Sequence, residues 1–96
     1  MASIARGVDI IRDKVRATIE GYHHRSDATS DQHRYYDGLY KNPDGTYTGI
    51  EVKGGTGSRD AAQRGFDSTV SLDRPATATL NGEKISITRV ILKEVQ

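Results

Sequence analysis

Apolar residues recur along this chain at two different periods, and the change of period divides it into elements. Between residues 4 and 20, Ile4, Val8, Ile11, Val15 and Ile19 stand three or four apart, which predicts an α-helix burying one stripe. Ser3 is placed to cap that helix and Gly21 to end it. The stretch "YHHRSDATSDQH" has no period and reads as an irregular connection. The period then becomes two. "RYYDGLYK" and "TYTGIEVK" are aromatic and β-branched, and the intervening "NPDG" offers Pro43 with its preset φ and Gly45 for φ > 0, so the pair predicts a β-hairpin. Ala62, Phe66 and Val70 recur every four residues behind Ser58, a second helix that must stop before Pro75. "ATATL" and "KISITRVILKEV", joined by Asn-Gly, read as a second hairpin. The predicted order is α-β-β-α-β-β, an α+β (α/β) chain forming one domain over residues 1–96, with Met1–Ser3 resembling a start residue plus a cloning remnant.

The first hairpin carries the candidate chemistry. A turn that sets Asn42 opposite Thr46 pairs Tyr40 with Thr48, Leu39 with Gly49 and Asp37 with Glu51. Alternation along the second strand sends Gly49, Glu51 and Lys53 to one face, expected to be the wetter one, and Ile50 and Val52 to the core. Two opposed carboxylates repel unless positive charge lies between them, so Asp37→Asn is expected to relieve strain when no metal is present. A divalent cation would supply that charge. Hard oxygen ligands suit Mg2+ or Mn2+, whereas Zn2+ favours nitrogen and sulfur and is the poorer match. Lys53, on the same face, could orient or deprotonate a water, or stabilise charge building on a phosphate.

Composition limits the partners. With 14 Lys+Arg against 13 Asp+Glu, and 34% hydrophobic residues, the chain is neither a strongly basic nucleic-acid binder nor a disordered tail, so any phosphate affinity must be local. The absence of Cys excludes disulfides and thiolate metal sites. No apolar run approaches the roughly 18 residues of a membrane-spanning helix. His23, His24 and His33 lack the spacing of a zinc site and read as loop histidines. Gly54, Gly55 and Gly57 lack the Lys-Ser/Thr of a P-loop and read as a turn. Gln63 and Arg64 open the second helix near the acids, where they either touch substrate or form a solvated face.

Asp37, thirteen intervening residues and then Glu51-Val52-Lys53, with helices before and after, resemble the PD-(D/E)XK nuclease superfamily. Tyr36 stands where the motif's Pro would be. The resemblance implies a restriction-endonuclease-like core, a central mixed sheet flanked by helices. It implies that Asp37, Glu51 and the Val52 backbone carbonyl bind Mg2+ or Mn2+, that Lys53 assists the water, and that an acid on the first helix, here Glu20, completes the site. The stretch "YDGLYKNPDGTYTGIEVKGGTGSRDAAQRGFD" further resembles C-terminal nuclease domains of bacterial polymorphic and contact-dependent growth inhibition toxins. That resemblance implies a DNase secreted or delivered within a larger toxin, acting on nucleic acid in the target-cell cytoplasm and neutralised by a cognate immunity protein. An RNase or tRNase with the same site, a repair nuclease, and a non-enzymatic α+β interaction module remain as alternatives.

Overall fold

The computed structural model describes residues 10–22, 32–54 and 61–95. Ser3, Ile4, Val8, His23, His24, Gly55, Gly57 and Ser58 therefore lie outside the described residues. Where the first helix was expected, Val15, Ala17 and Ile19 are buried and Arg16 is exposed, a period of two. Residues 10–20 contain no helix and instead contribute β1 (Arg16–Thr18). The physical reason is that a spacing of four belongs equally to a helix face and to a strand face. The β-branched Val15, Thr18 and Ile19 tip that balance towards the strand, and Ala17 fills the buried position between Val15 and Ile19. Gly21 still ends the element, with φ +76° in the following turn.

The strand expected from "RYYDGLYK" is two strands, β2 (His33–Tyr35) and β3 (Gly38–Lys41), broken at Tyr36 and Asp37. β4 (Tyr47–Gly54), α1 (Ala61–Thr69), β5 (Ala76–Leu80) and β6 (Glu83–Val95) follow. Among the described residues the order is therefore β-β-β-β-α-β-β, a small mixed α+β domain with one helix. His33 belongs to β2, with its ring against the Arg16 guanidinium, rather than to a loop. The six strands form one sheet in the order β2-β1-β5-β6-β4-β3, antiparallel except for β4 beside β6. β2 and β3 stand at opposite ends of that order, yet the chain steps from Tyr35 to Gly38, a reach of about 10 Å. The sheet must therefore curl until its edges meet. Ile11 and Leu39 lie at the junction and exchange backbone hydrogen bonds of 2.7 and 2.9 Å.

Both turns behave as their sequences require. Asn81 and Gly82 take φ +52° and +83°, the positive pair of a two-residue type I′ hairpin. At the other turn Asn42 N–H reaches Thr46 O at 2.7 Å, and the Asp44 carboxylate accepts from the Thr46 N–H and hydroxyl. Along β6, Tyr47 pairs with Ile87 but Thr48 with Arg89, so Thr88 is an extra residue. That bulge shifts the alternation. Ile85 and Ile87 are buried before it, and afterwards Val90 packs the core while Arg89 points out.

The core gathers Tyr36, Phe66, Ile19, Leu39 and Ile87 inside the curl. Tyr36 lies over Gly49, where an added Cβ would come within 2.8 Å of Cδ2 and 2.9 Å of Cγ. The Tyr36 hydroxyl is tied down, so the ring cannot swing aside. Gly49→Ala is expected to cost about 1–3 kcal/mol, the range of an overpacked core. Urea unfolding checks this, and an unchanged midpoint would mean that the ring yields freely.

Candidate active site

β2, β4, α1 and the segments just before β1 and β3 bring charged groups to the end of the β3–β4 hairpin. The hairpin register is the one counted from the turn, with Tyr40 opposite Thr48, Leu39 opposite Gly49 and Gly38 opposite Ile50. One further step sets Asp37 level with Glu51, but the ladder stops at Gly38. Asp37 instead seals its end: its N–H donates to Ile50 O at 2.8 Å, and its Oδ2 accepts the Val52 N–H at 2.8 Å. In a strand the N–H and C=O of one residue point to the same side, and alternate β4 residues, Ile50 and Val52, turn theirs to the β3 side. The Val52 carbonyl therefore points with its N–H towards Asp37 and past the end of β3.

The face carrying Glu51 is the covered one, against the expectation that it would be wetter. Glu51 is 6% exposed and Val52 is 43% exposed. Tyr36 roofs Gly49, and α1 places Phe66 and Asp67 inward on the same side. Ile50 is buried on the opposite face, within reach of Gly38.

Covering Glu51 requires a partner, and β2 supplies it. Arg34 is only 2% exposed. Its Nη1 donates to Glu51 Oε1 at 2.9 Å, while Nε and Nη2 form a two-pronged pair with Asp67 at 2.9 Å each. The guanidinium also lies 4.7 Å from the Tyr36 ring centre, and the Tyr36 hydroxyl donates to Asp67 Oδ1 at 2.6 Å. Burial opposes the Arg34 charge, but Asp67 and then Glu51 outweigh it and hold its pKa above the ordinary value. Burial first, and then the bond to Asp67, push the Tyr36 phenol well up, so it stays a neutral donor. Lys53 Nζ lies 3.2 Å from Glu51 Oε2, and Lys14 Nζ lies 3.4 Å from Asp37 Oδ1.

The two acids are therefore not bare. Three carboxylates, Asp37, Glu51 and Asp67, face three cations, Lys14, Arg34 and Lys53, so their formal charges cancel. The positive charge that opposed acids call for comes from side chains, so with these partners in place relief is no longer the expected result of Asp37→Asn. The Val52 N–H above all, helped by Lys14 and Lys53, holds the Asp37 carboxyl below the usual carboxylate range. A pKa lowered in the folded state adds stability that is complete above the unfolded value and is lost as pH falls through the folded one. Asp37→Asn is thus expected to lose about 1 kcal/mol at neutral pH, a charged hydrogen bond discounted for partial exposure. The deficit should shrink below about pH 4. Urea unfolding between pH 2 and 7 measures it, and a pH-independent deficit would assign the effect to shape.

The other sequence candidates separate. Gln63 and Arg64 sit in the first turn of α1, and Arg64 lines an open concavity of ≈ 540 Å³ with Gly65, Asp67, Ser68 and Val90. Asp67 joins that concavity to the charged cluster. Glu20 is exposed in the turn after β1, on a separate concavity with Asp73, Arg74 and Lys84, and is not brought to Asp37 and Glu51. No group of three or more His, Cys, Asp or Glu able to hold a metal occurs among the described residues.

Arg34, Tyr36 and Asp67 were missed by sequence reasoning. A signal existed for Asp67, which lies beside Phe66 and three residues before Val70, on the packing side of its helix. An acid there needs a buried partner. Nothing local identified that partner as Arg34, 33 positions away. No family model matches the chain, and comparison with curated proteins and with solved structures gives no significant similarity.

Proposed function

We propose that this domain is a metal-dependent nuclease that hydrolyses phosphodiester bonds in nucleic acid, DNA in preference to RNA. The observation that supports the reading is Lys53. Its ammonium lies 3.2 Å from Glu51 and close enough to Asp37 to help lower that carboxyl's pKa, so one base serves two acids at the open end of a hairpin. The donors are chemically suited to a hard cation: the Asp37 and Glu51 carboxylates and the Val52 carbonyl are all oxygen, and Mg2+ or Mn2+ is the cation they would hold. Such a cation, when bound, supplies positive charge against phosphate and makes water more acidic.

The chain's own groups do the rest. Lys53, 22% exposed, reaches solvent where the buried Glu51 does not. Its Nζ donates to a phosphate oxygen as negative charge builds there, or holds the attacking water in place by donating to its oxygen. Arg64, at the start of α1 on the concavity beside Asp67, would hold the phosphate backbone there, with Gln63 adjacent on the same first turn.

The finer topology, a restriction-endonuclease-like core, belongs to this proposal, as does the setting. A DNase domain of an interbacterial toxin, delivered into the target cell's cytoplasm and paired with an immunity protein, rests on the resemblance of the β3–β4 stretch. Among the described residues no helix is long and apolar enough to cross a membrane.

The test is incubation with plasmid DNA and with total RNA, each in Mg2+ and in EDTA. Mg2+-dependent nicking of plasmid is expected. Cleavage of RNA alone would move the same site to an RNase, and cleavage of neither would leave a non-enzymatic module.

A further inference from the structure

Arg34 is the most completely buried cation in the described chain, and the reaction proposed above has no direct use for it. It cannot touch substrate at 2% exposure. Yet it commits three of its nitrogens to two carboxylates from two different elements, Glu51 on β4 and Asp67 on α1. Burying a charge of this kind is opposed by desolvation, and apolar residues of similar size would often hold a core equally well. Packing alone does not account for that cost.

We infer that Arg34 is a positioning residue for Glu51, with Asp67 as its anchor. The arrangement divides the labour of the guanidinium. The Nε and Nη2 edge is locked by Asp67 in the two-pronged geometry that lysine cannot reproduce. Asp67 is itself fixed from a second side by the Tyr36 hydroxyl, and Tyr36 is wedged over Gly49 of the same strand that carries Glu51. The remaining Nη1 engages Glu51 Oε1 and leaves Oε2 turned to Lys53, the side on which Asp37 also lies. Glu51 is thus presented through one oxygen, in one orientation, and its placement is tied to the helix that carries Gln63 and Arg64. Substrate contacts on α1 and the acid on β4 share one rigid frame.

This inference rests on the nuclease reading, and its test separates the two. In the wild-type protein, nitrogen-edited NMR should resolve distinct Arg34 Nη–H signals that exchange slowly with water, because a clamped guanidinium does not rotate about its Cζ–Nη bonds. Averaged, fast-exchanging signals would overturn the clamp whether or not the protein cuts nucleic acid. In cleavage assays Arg34→Lys keeps the charge and loses the fork. It is expected to lower kcat about 100-fold with KM for plasmid changed less than about threefold, since Arg34 makes no contact of its own with substrate and α1 keeps its packing through Phe66. Asp67→Asn, which keeps the shape of the anchor and weakens its grip, should lie between the two at about a tenfold loss and stands in if Arg34→Lys does not fold. Folded variants that keep wild-type kcat, or that lose activity through KM alone, would overturn the positioning role. A wild-type protein with slow, resolved Arg34 signals and no cleavage of DNA or RNA would sink the nuclease reading while supporting Arg34 as the group that orients Glu51.

Discussion

Asp67→Ala is expected to lower the unfolding free energy by about 3–5 kcal/mol, the cost of removing one partner from a buried ion pair. The truncation strips acceptors from Arg34 Nε, Arg34 Nη2 and the Tyr36 hydroxyl together, and none of these groups can turn to water. Glu51 and the Tyr35 carbonyl, both on Nη1, would remain to face the guanidinium. Stability of a domain this size is of order 5–15 kcal/mol, so the variant would stand near the edge of folding. At 4–8 °C per kcal/mol the melting point should fall by at least about 12 °C. Thermal and urea unfolding measure the loss. A change under about 1 kcal/mol would mean that Arg34 is far better solvated than its burial implies. Pairing the change with Arg34→Met should recover part of the loss, because the guanidinium that lost its anchor is then gone and Lys53 still pairs Glu51.

Lys53→Ala is expected to reduce Mg2+-dependent cleavage by at least 100-fold, about 2.7 kcal/mol in barrier, while leaving the fold nearly as stable as before. Lys53 is partly exposed and its pair with Glu51 sits at the rim of the cluster, so its loss costs little packing. The same contact also bears on metal binding. Lys53 occupies Glu51 Oε2, an oxygen that a hard cation would also claim. Removing the ammonium frees that oxygen and leaves more negative charge beside it. Mg2+ should therefore bind the variant as tightly as wild type, or more tightly, by calorimetry. Cleavage within about tenfold of wild type would remove Lys53 from the chemistry, and loss of Mg2+ binding would make Lys53 an organiser of the acids.

The two hairpins were legible because their information is local. Asn81-Gly82 admits few conformations other than the type I′ turn, and the turn at Asn42–Thr46 fixes which residues oppose Leu39 and Tyr40. Given that register, counting brings Asp37, Glu51 and Lys53 together. Phe66 was legible as the buried face of α1 by its helical spacing. The region of Ile11, Val15 and Ile19 was misread because a spacing of four fits two periods. Its β character comes from pairing, through Thr18 with Thr77 and Ala17 with Arg34, and those partners are far along the chain.

Sequence by itself determined the turns, the hairpin register and the helix at Phe66, since each depends on neighbours within a few positions. Tertiary structure alone decided which face of β4 was covered and what neutralised its acids. Alternation says that Glu51 and Val52 point opposite ways, but not which of them α1 will lie upon. That choice was made when the sheet curled, brought β2 from the far edge to the end of β4, and set Arg34 between Glu51 and Asp67. A charge buried by such closure has to meet its counter-charge across the fold, and no local pattern can record a partner that only closure supplies.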